Sequence, residues 1–351
     1  MNKRKRSRRQ AIDLFCGAGG LSIGLHGAGF DVVAAVDSWQ LAVDTYTKNL
    51  PDAATCGDLS QMSGRALCEL ANIEPGSIDL VAGGPPCQGF SIQRIGRDED
   101  PRNDLVLKFA RLVGFVRPRV FLMENVTGLL GKRGSTVFDA FRRQMEKSGY
   151  DIRAQIIDAG EYGVPQRRRR VVVTGWLSTQ PELPRFEGTS EGVVSVWDAI
   201  GDLPPAAPPG SVGDADPLHV ASRMSELNQQ RLALIPPGGG FEDLPVEMRV
   251  QCHARGAAAI GHRGVYGRLD PGKPAGTITA RFDSFTRGRF AHPYLNRNIT
   301  LREGARLQTF PDDFAFLGNR EEIAAQIGNA VAPKLSHHLA SALHGYLDTM
   351  H

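Results

Sequence analysis

No stretch of the 351 residues stays apolar for the length a membrane span needs. The charged start, Met1 to Arg9, is followed by no apolar core, so neither a membrane protein nor a secretory signal is expected. Five cysteines, an odd number without metal-ligand spacing, argue against a disulfide framework and a zinc site and for a reducing cytoplasm. Cys16, Cys56, Cys68 and Cys252 read as structural. A net charge of +3 carries little meaning until its distribution is known. Also missing is the third glycine of a dinucleotide-binding fingerprint: after Gly17 and Gly19 it would stand at position 22, which holds Ser22. A nicotinamide dehydrogenase is therefore disfavoured, and a nucleoside ligand without a pyrophosphate fits better.

What is present alternates strand and helix. Ala11 to Phe15 reads as a strand running into the turn Cys16-Gly17-Ala18-Gly19-Gly20, and Leu21 and Leu25 then have helical spacing. The next strand, Asp31 to Val36, ends at Asp37, where an acid is placed to hold the two ribose hydroxyls of a bound nucleoside. A helix over Ser38 to Leu50 follows. Gly57-Asp58-Leu59 marks a third strand end, with Asp58 either receiving an adenine amino group or capping the helix through Arg65 to Leu70.

The stretch Gly83-Gly84-Pro85-Pro86-Cys87-Gln88-Gly89-Phe90-Ser91 organises the rest. Ile78 to Ala82 reads as a buried strand, so Cys87 is presented on a proline-stiffened loop at a strand's carboxyl end, the edge where open α/β sheets bind ligands. A thiol attacks only as the thiolate, and its ordinary pKa of about 8.5 leaves little of it at neutral pH without help from its surroundings. Ile92 to Asn103 is polar and charged and suits a lid over a substrate. Leu105 to Phe115 has helical spacing, Pro118 stops it, and Val120 to Met123 is a strand delivering Glu124-Asn125-Val126 to the same edge. A helix over Val137 to Met145 and a strand over Tyr150 to Ile157 precede Gln166-Arg167-Arg168-Arg169-Arg170. In an extended segment Arg168 and Arg170 share one face and Arg167 and Arg169 the other.

Beyond Trp176 the chain turns rich in Pro and Gly, with a helix expected over Ser222 to Leu234, and a domain boundary falls near Leu177. From Arg249 to Arg302 ten Lys or Arg residues face only Asp270 and Asp283, interleaved with Tyr266, Phe282, Phe285, Phe290 and Tyr294. That composition predicts a basic surface following nucleic acid phosphates. A last helix, Leu335 to Leu347, is apolar enough to pack back on the first domain.

These motifs, in this order, resemble the DNA cytosine-5 methyltransferases of bacterial restriction-modification type. Asp13 to Gly20 is similar to the family's first cofactor motif, Gly84 to Ser91 to its catalytic loop, Glu124-Asn125-Val126 to its acid motif, and Gln166, Arg168 and Arg170 to its Gln-x-Arg-x-Arg motif. Arg302 to Asp312 resembles the motif that organises the recognition domain, and Gln326-x-Gly328-Asn329-Ala330-Val331 the last motif. The resemblance implies an α/β fold: a Rossmann-like, doubly wound methyltransferase sheet with a smaller inserted target-recognition domain. By that reading 1–10 is a basic disordered tail, 11–177 plus 322–351 the catalytic domain that binds S-adenosylmethionine, and 178–321 the DNA-binding domain.

It also implies roles. Cys87 would add to carbon 6 of a flipped-out cytosine, Glu124 would serve ring nitrogen 3, and Arg168 the carbonyl at carbon 2; Arg170 belongs to the same catalytic set, and Gln88 and Ser91 to substrate contact. Phe15, Gly17, Gly19, Gly20, Asp37, Asp58, Pro86, Leu105, Asn329 and Val331 would contact the cofactor, and no metal is expected. Where the family commonly has a bulky residue after the ribose-binding acid, Ser38 follows Asp37, so Trp39 is not counted among the contacts. The partner would be double-stranded DNA, with a cognate restriction endonuclease acting separately and the chain itself a monomer in the cytoplasm. The alternatives are a transfer RNA cytosine-5 methyltransferase of the same superfamily and a catalytically silent DNA-binding relative. Ser91, where the RNA enzymes usually have Thr, and the basic insert speak against the first.

Overall fold

The structure, a computed structural model, describes residues 8–50, 54–86, 104–189, 192–211, 216–250 and 264–350. Its first strands and helices are β1 (Arg9–Leu14), α1 (Gly20–Gly27), β2 (Phe30–Asp37), α2 (Gln40–Asn49), β3 (Ala54–Cys56), α3 (Gly64–Ala71), β4 (Leu80–Gly83) and α4 (Asp104–Val116). They continue as β5 (Val120–Val126), α5 (Ser135–Lys147), β6 (Tyr150–Asp158) and β7 (Arg169–Leu177). Then come α6 (Val196–Ile200), α7 (Glu226–Ala233), β8 (Gly267–Arg268), β9 (Arg289–Ala291), α8 (Leu301–Leu307), α9 (Arg320–Asn329) and α10 (Pro333–Asp348). The chain divides into two compact units: Met1–Tyr162 with Arg169–Thr189 and Val331–His351, and Gly163–Arg168 with Ser190–Ala330.

The first unit is built on a seven-stranded sheet of order β3-β2-β1-β4-β5-β7-β6. β1 to β5 run parallel, and β7 lies antiparallel between β5 and β6. Parallel strands covered on both faces need continuous apolar sequence, and Ile12, Leu14, Val36, Val81, Phe121 and Met123 are all buried. Phe121 anchors the core: it meets Phe109 of α4, Phe141 of α5 and Tyr150 of β6 edge-on at 6.2, 6.0 and 5.4 Å. α10 closes the other face against α1, with the buried Ser336 hydroxyl bonding back to the Gly20 and Leu21 carbonyls at 3.2 and 3.1 Å. The strand order turns around between β1 and β4, which makes the carboxyl ends of those two strands the natural ligand crevice.

Three differences from the expected elements have clear causes. Arg9 and Gln10 belong to β1 rather than to a disordered tail, because Asp79 accepts from both the Arg9 guanidinium and the Gln10 amide. β5 runs on through Val126, since Glu124, Asn125 and Val126 still find partners in Val172, Val171 and Arg170 of β7. Glu124 therefore projects from within the strand. After β7 the chain stays with the first unit to Thr189, held along the outer strand by Gln155, whose side chain bonds the Phe186 backbone in both directions.

The second unit has short elements and long irregular connections, so its backbone carbonyls need donors that helices and sheets would otherwise supply. Arg268, buried, makes five bonds, to the carbonyls of Leu232, Ile235, His292 and Leu295 and to the Asn296 side chain. Glu303, also buried, takes both prongs of Arg297 at 2.6 and 2.7 Å and caps α8 through the Thr300 amide. These contacts turn part of the expected basic surface over Arg249 to Arg302 inward, while Lys273 and Arg287 stay exposed. Arg268 and Arg302 are internal, Arg289 bonds the carbonyls of Gly238, Gly239 and Arg268, and Phe282, Phe285 and Phe290 are core.

Candidate active site

The turn after β1 is shaped by its backbone. Phe15 and Gly17 are left-handed (φ 62° and 52°), a conformation that costs a phenylalanine about 1–3 kcal/mol and persists because both the Phe15 and Cys16 amides bond the Val36 carbonyl at 2.8 and 3.1 Å. Among the described residues no atom stands within 4 Å of where a Cβ on Gly17 would point, so bare backbone faces open space there. Asp37, at the end of β2, accepts from the Gly17 and Trp39 amides, both at 2.9 Å, and so ties the turn to the strand tip. Its remaining lone pairs are available to hydroxyl donors.

Beneath this turn lies a residue that the sequence reading left out of the site. Asp13 is fully buried within β1; the Ser22 hydroxyl donates to its Oδ2 at 2.6 Å, while its Oδ1 makes no hydrogen bond among the described residues. Burial pushes its carboxyl up to about 7 despite the Ser22 bond, with the nearby Asp37 adding to the rise. Ser22, at the place of the absent third glycine, thus holds the acid under the loop. The signal was an aspartate inside a strand otherwise apolar enough to be covered on both faces.

Asp58 follows β3, is exposed, and bonds the Ser60 amide and hydroxyl at 2.8 Å each, which lowers its pKa. It does not cap α3, whose cap is Ser63. Leu105 sits half-buried in the first turn of α4, and Pro86 is half-buried after β4. Cys87, Gln88, Ser91 and the expected lid lie outside the described residues.

The residues that precede Cys87 in the chain are placed by β4 and β5. β4 and β5 pair in parallel with Gly83 opposite Met123, which brings the next residues together. The ideal Cβ position on Gly84, three residues before Cys87, lies 3.8 Å from Glu124 Oε2 and 3.9 Å from the Val331 side chain. The Asn125 amide donates to the Pro85 carbonyl at 2.9 Å and fixes the loop two residues before the cysteine. Arg170 Nε meets Glu124 Oε1 at 2.9 Å, both side chains being largely buried. Glu124, Arg170, Val331 and the root of the Cys87 loop are therefore gathered in one place within the first unit.

Arg168 differs from its expected role. It lies in the second unit, is buried, and spends its guanidinium on the carbonyls of Ile278, Gly328 and Ala330 at 3.0, 3.2 and 3.1 Å. Gln166 is likewise structural there, bonding the Leu307 carbonyl, the Gln308 side chain and the Ile278 amide. Asn329, the last residue of α9, is exposed in that unit. The shared inward face of Arg168 and Arg170 was legible in the sequence, but which of the two meets Glu124 was not.

The turn fits a nucleoside bearing a cationic group: backbone open at Gly17, an acid with acceptor capacity at Asp37, and a buried acid oxygen under the loop at Asp13. Among the described residues no cluster of His, Cys, Asp or Glu could hold a metal ion, and no helix is long and apolar enough to cross a membrane.

A family model described as C-5 cytosine-specific DNA methylase matches residues 9–345. Among curated proteins, the type II methyltransferase M.AgeI of Thalassovita gelatinovora is 32% identical over 95% of this chain and 99% of its own length. The type II methyltransferase M1.HphI of Haemophilus parahaemolyticus is 35% identical over 95% of this chain and 86% of its own. Among solved structures, a candidate DNA modification methyltransferase from an E. coli prophage superposes with a TM-score of 0.76 at 28% identity, over 97% of this chain and 99% of that one. The S. pombe Dnmt2 methyltransferase, at 18% identity and a TM-score of 0.66 over 97% of this chain and 100% of its own, shares the fold.

Proposed function

The chain belongs to the C-5 cytosine-specific DNA methylases, and on that footing we propose that it transfers a methyl group from S-adenosylmethionine to carbon 5 of a cytosine flipped out of a specific double-stranded DNA sequence. It does so through a covalent bond between Cys87 and carbon 6. The likeness to type II restriction-modification methyltransferases along nearly the whole chain supports a role beside a separately acting restriction endonuclease. When bound, the cofactor supplies an electrophilic methyl group on a sulfonium. Phe15, Gly17, Gly19, Gly20, Asp37, Asp58, Pro86, Leu105, Asn329 and Val331 are the residues that would hold it.

The observation that carries the reading is the convergence at Gly84: an acid from β5 stands beside the root of the cysteine loop from β4. Carbon 5 of cytosine is a poor nucleophile. Addition of the Cys87 thiolate to carbon 6 moves the ring electrons toward nitrogen 3, where Glu124 gives a proton, and carbon 5 becomes an enamine carbon able to take the methyl group. Loss of the carbon 5 proton to a base then re-forms the double bond and expels the thiolate, and nitrogen 3 returns its proton to Glu124. Arg170, paired with Glu124 Oε1, holds the acid in orientation, and we assign to it the contact to developing charge at carbon 2 that the sequence had given to Arg168. Reaching the base requires unstacking it, at a cost of a few kcal/mol that contacts by the second unit would offset.

Methyl incorporation from labelled cofactor into duplex DNA and into transfer RNA, with bisulfite sequencing of DNA from expressing cells, tests the proposal. Label in DNA at cytosine within one short sequence is expected. Label in RNA alone would establish the RNA reading instead.

A further inference from the structure

Arg268 and Arg302, two of the arginines that the sequence set aside for DNA, are internal and Arg289 is spent on backbone carbonyls, so some phosphate contacts must come from elsewhere in the second unit. That unit contains an open cavity of about 470 Å³ whose wall includes Arg223, Asp283, Ser284, Asn298 and Arg320. Arg320 bonds the Val220 carbonyl through Nη1 at 3.3 Å, but its Nε and Nη2 are buried and make no hydrogen bond among the described residues. Burial without a matching acceptor lowers its pKa, and Asp283 only partly counters this. Asp283 itself is 9% exposed and its Oδ1 makes no hydrogen bond among the described residues, although Arg281 Nε stands 3.5 Å away at ion-pair distance.

Nε and Nη2 form one edge of the guanidinium, two parallel N–H groups spaced to meet two oxygens of a single tetrahedral or planar anion. Leaving that edge dry is costly, because two desolvated donors go without an acceptor. Of the wall's charged side chains, Arg223 and Arg320 are cationic and Asp283 anionic, which leaves one positive charge over and matches the single negative charge of a phosphodiester. Shape agrees: a phosphate protrudes from a duplex and enters a concavity, whereas base edges lie on a groove floor and are read by side chains that project.

We propose that this cavity seats one phosphate of the DNA backbone, toward which Arg320 turns its Nε and Nη2 edge, enclosed in the free protein, with Arg223 beside it. The inference rests on the proposed action on double-stranded DNA and adds a positioning contact to it. Such a contact fixes how the duplex is held and carries no sequence information.

The test is the affinity of the full chain for a short duplex, with and without its methylation sequence, across a KCl series. Arg320→Gln should lower affinity about ten- to a hundred-fold on both duplexes and reduce the magnitude of the slope of log affinity against log salt by about 1. Arg320→Lys, which keeps the charge and loses the fork, should keep the slope with a smaller loss. Asp283→Asn, which removes the opposing charge, should bind more tightly. S-adenosylmethionine affinity and melting temperature of Arg320→Lys report that the fold survives. An unchanged slope in Arg320→Gln overturns the phosphate site, and so does lost discrimination between the duplexes at unchanged slope, which would assign a base contact instead. A wild-type chain with no affinity for duplex DNA would defeat the proposed function itself, a result distinguishable from either.

Discussion

Replacing Asp13 by Asn tests whether a titrating acid is stored under the cofactor turn. The carboxyl is fully buried and pushed from its ordinary 3.8 up to about 7, roughly three units at about 1.4 kcal/mol each. The sign follows from proton binding. Between about pH 4 and pH 7 the folded chain holds a proton that the unfolded chain has lost, so this group's contribution to stability falls as pH rises through that window, by about 4 kcal/mol, and is level above it. Asn is isosteric and does not titrate. Whatever fixed offset the amide introduces, the stability difference between Asp13→Asn and wild type should move in the variant's favour by several kcal/mol on going from about pH 5 to about pH 8. Urea unfolding of both proteins at each pH measures it. The difference, rather than either curve alone, is diagnostic, because buried His292, pushed down to about 4, loses stability as pH falls from about 6.5 toward 4 and works in the opposite direction. A difference that stays constant with pH would refute the assignment.

Three further outcomes are expected. Glu124→Gln should lower turnover by about 10²–10³ while DNA affinity changes little, since the acid serves charge that develops only in reaction; equal losses in both would make Glu124 structural. Arg170→Lys, which keeps a cation beside the largely buried carboxylate but loses the directed Nε contact that orients it, should follow Glu124→Gln in turnover with a melting temperature near wild type. Arg168→Ala should behave oppositely: it leaves the buried carbonyls of Ile278 and Gly328 without this donor, while Ala330 keeps Gln308 Nε2 at 3.4 Å, so thermal unfolding should show a loss of about 2 kcal/mol or more, and an unaffected melting temperature would contradict the structural role.

Much of the architecture was legible because its signals are local. Apolar runs bounded by glycine and proline gave β1, β2, β4 and β5, and helical spacing gave α4, α5 and α10. The misreadings share a physical origin in long-range contacts. Whether β5 stops at Met123 or continues past Glu124 depends on β7, some fifty residues later in the chain. Arg168 and Arg170 occupy equivalent positions in an extended segment, and only the carbonyls waiting at Ile278, Gly328 and Ala330 separate them. The basic excess from Arg249 to Arg302 was read as a surface because arginine usually sits on one. In a unit with few helices and strands, arginine also serves as an internal donor to backbone carbonyls, and Arg268 with its five bonds is the extreme case. Asp13 was hidden in plain view, an acid in an apolar strand whose meaning depends on Ser22 nine residues on.

The central claim is that Cys87 and Glu124 act on one extruded cytosine, and a mechanism-based trap tests it most directly. Duplex DNA carrying 5-fluorocytosine at the target position has no carbon 5 proton to lose after methyl transfer, so the adduct cannot break down. With S-adenosylmethionine present, wild-type protein should form a denaturation-resistant complex with this DNA, mapping by mass spectrometry to Cys87, and Cys87→Ser should form none. A complex that persists in Cys87→Ser, or its absence from a wild-type protein that methylates ordinary DNA, would contradict the account.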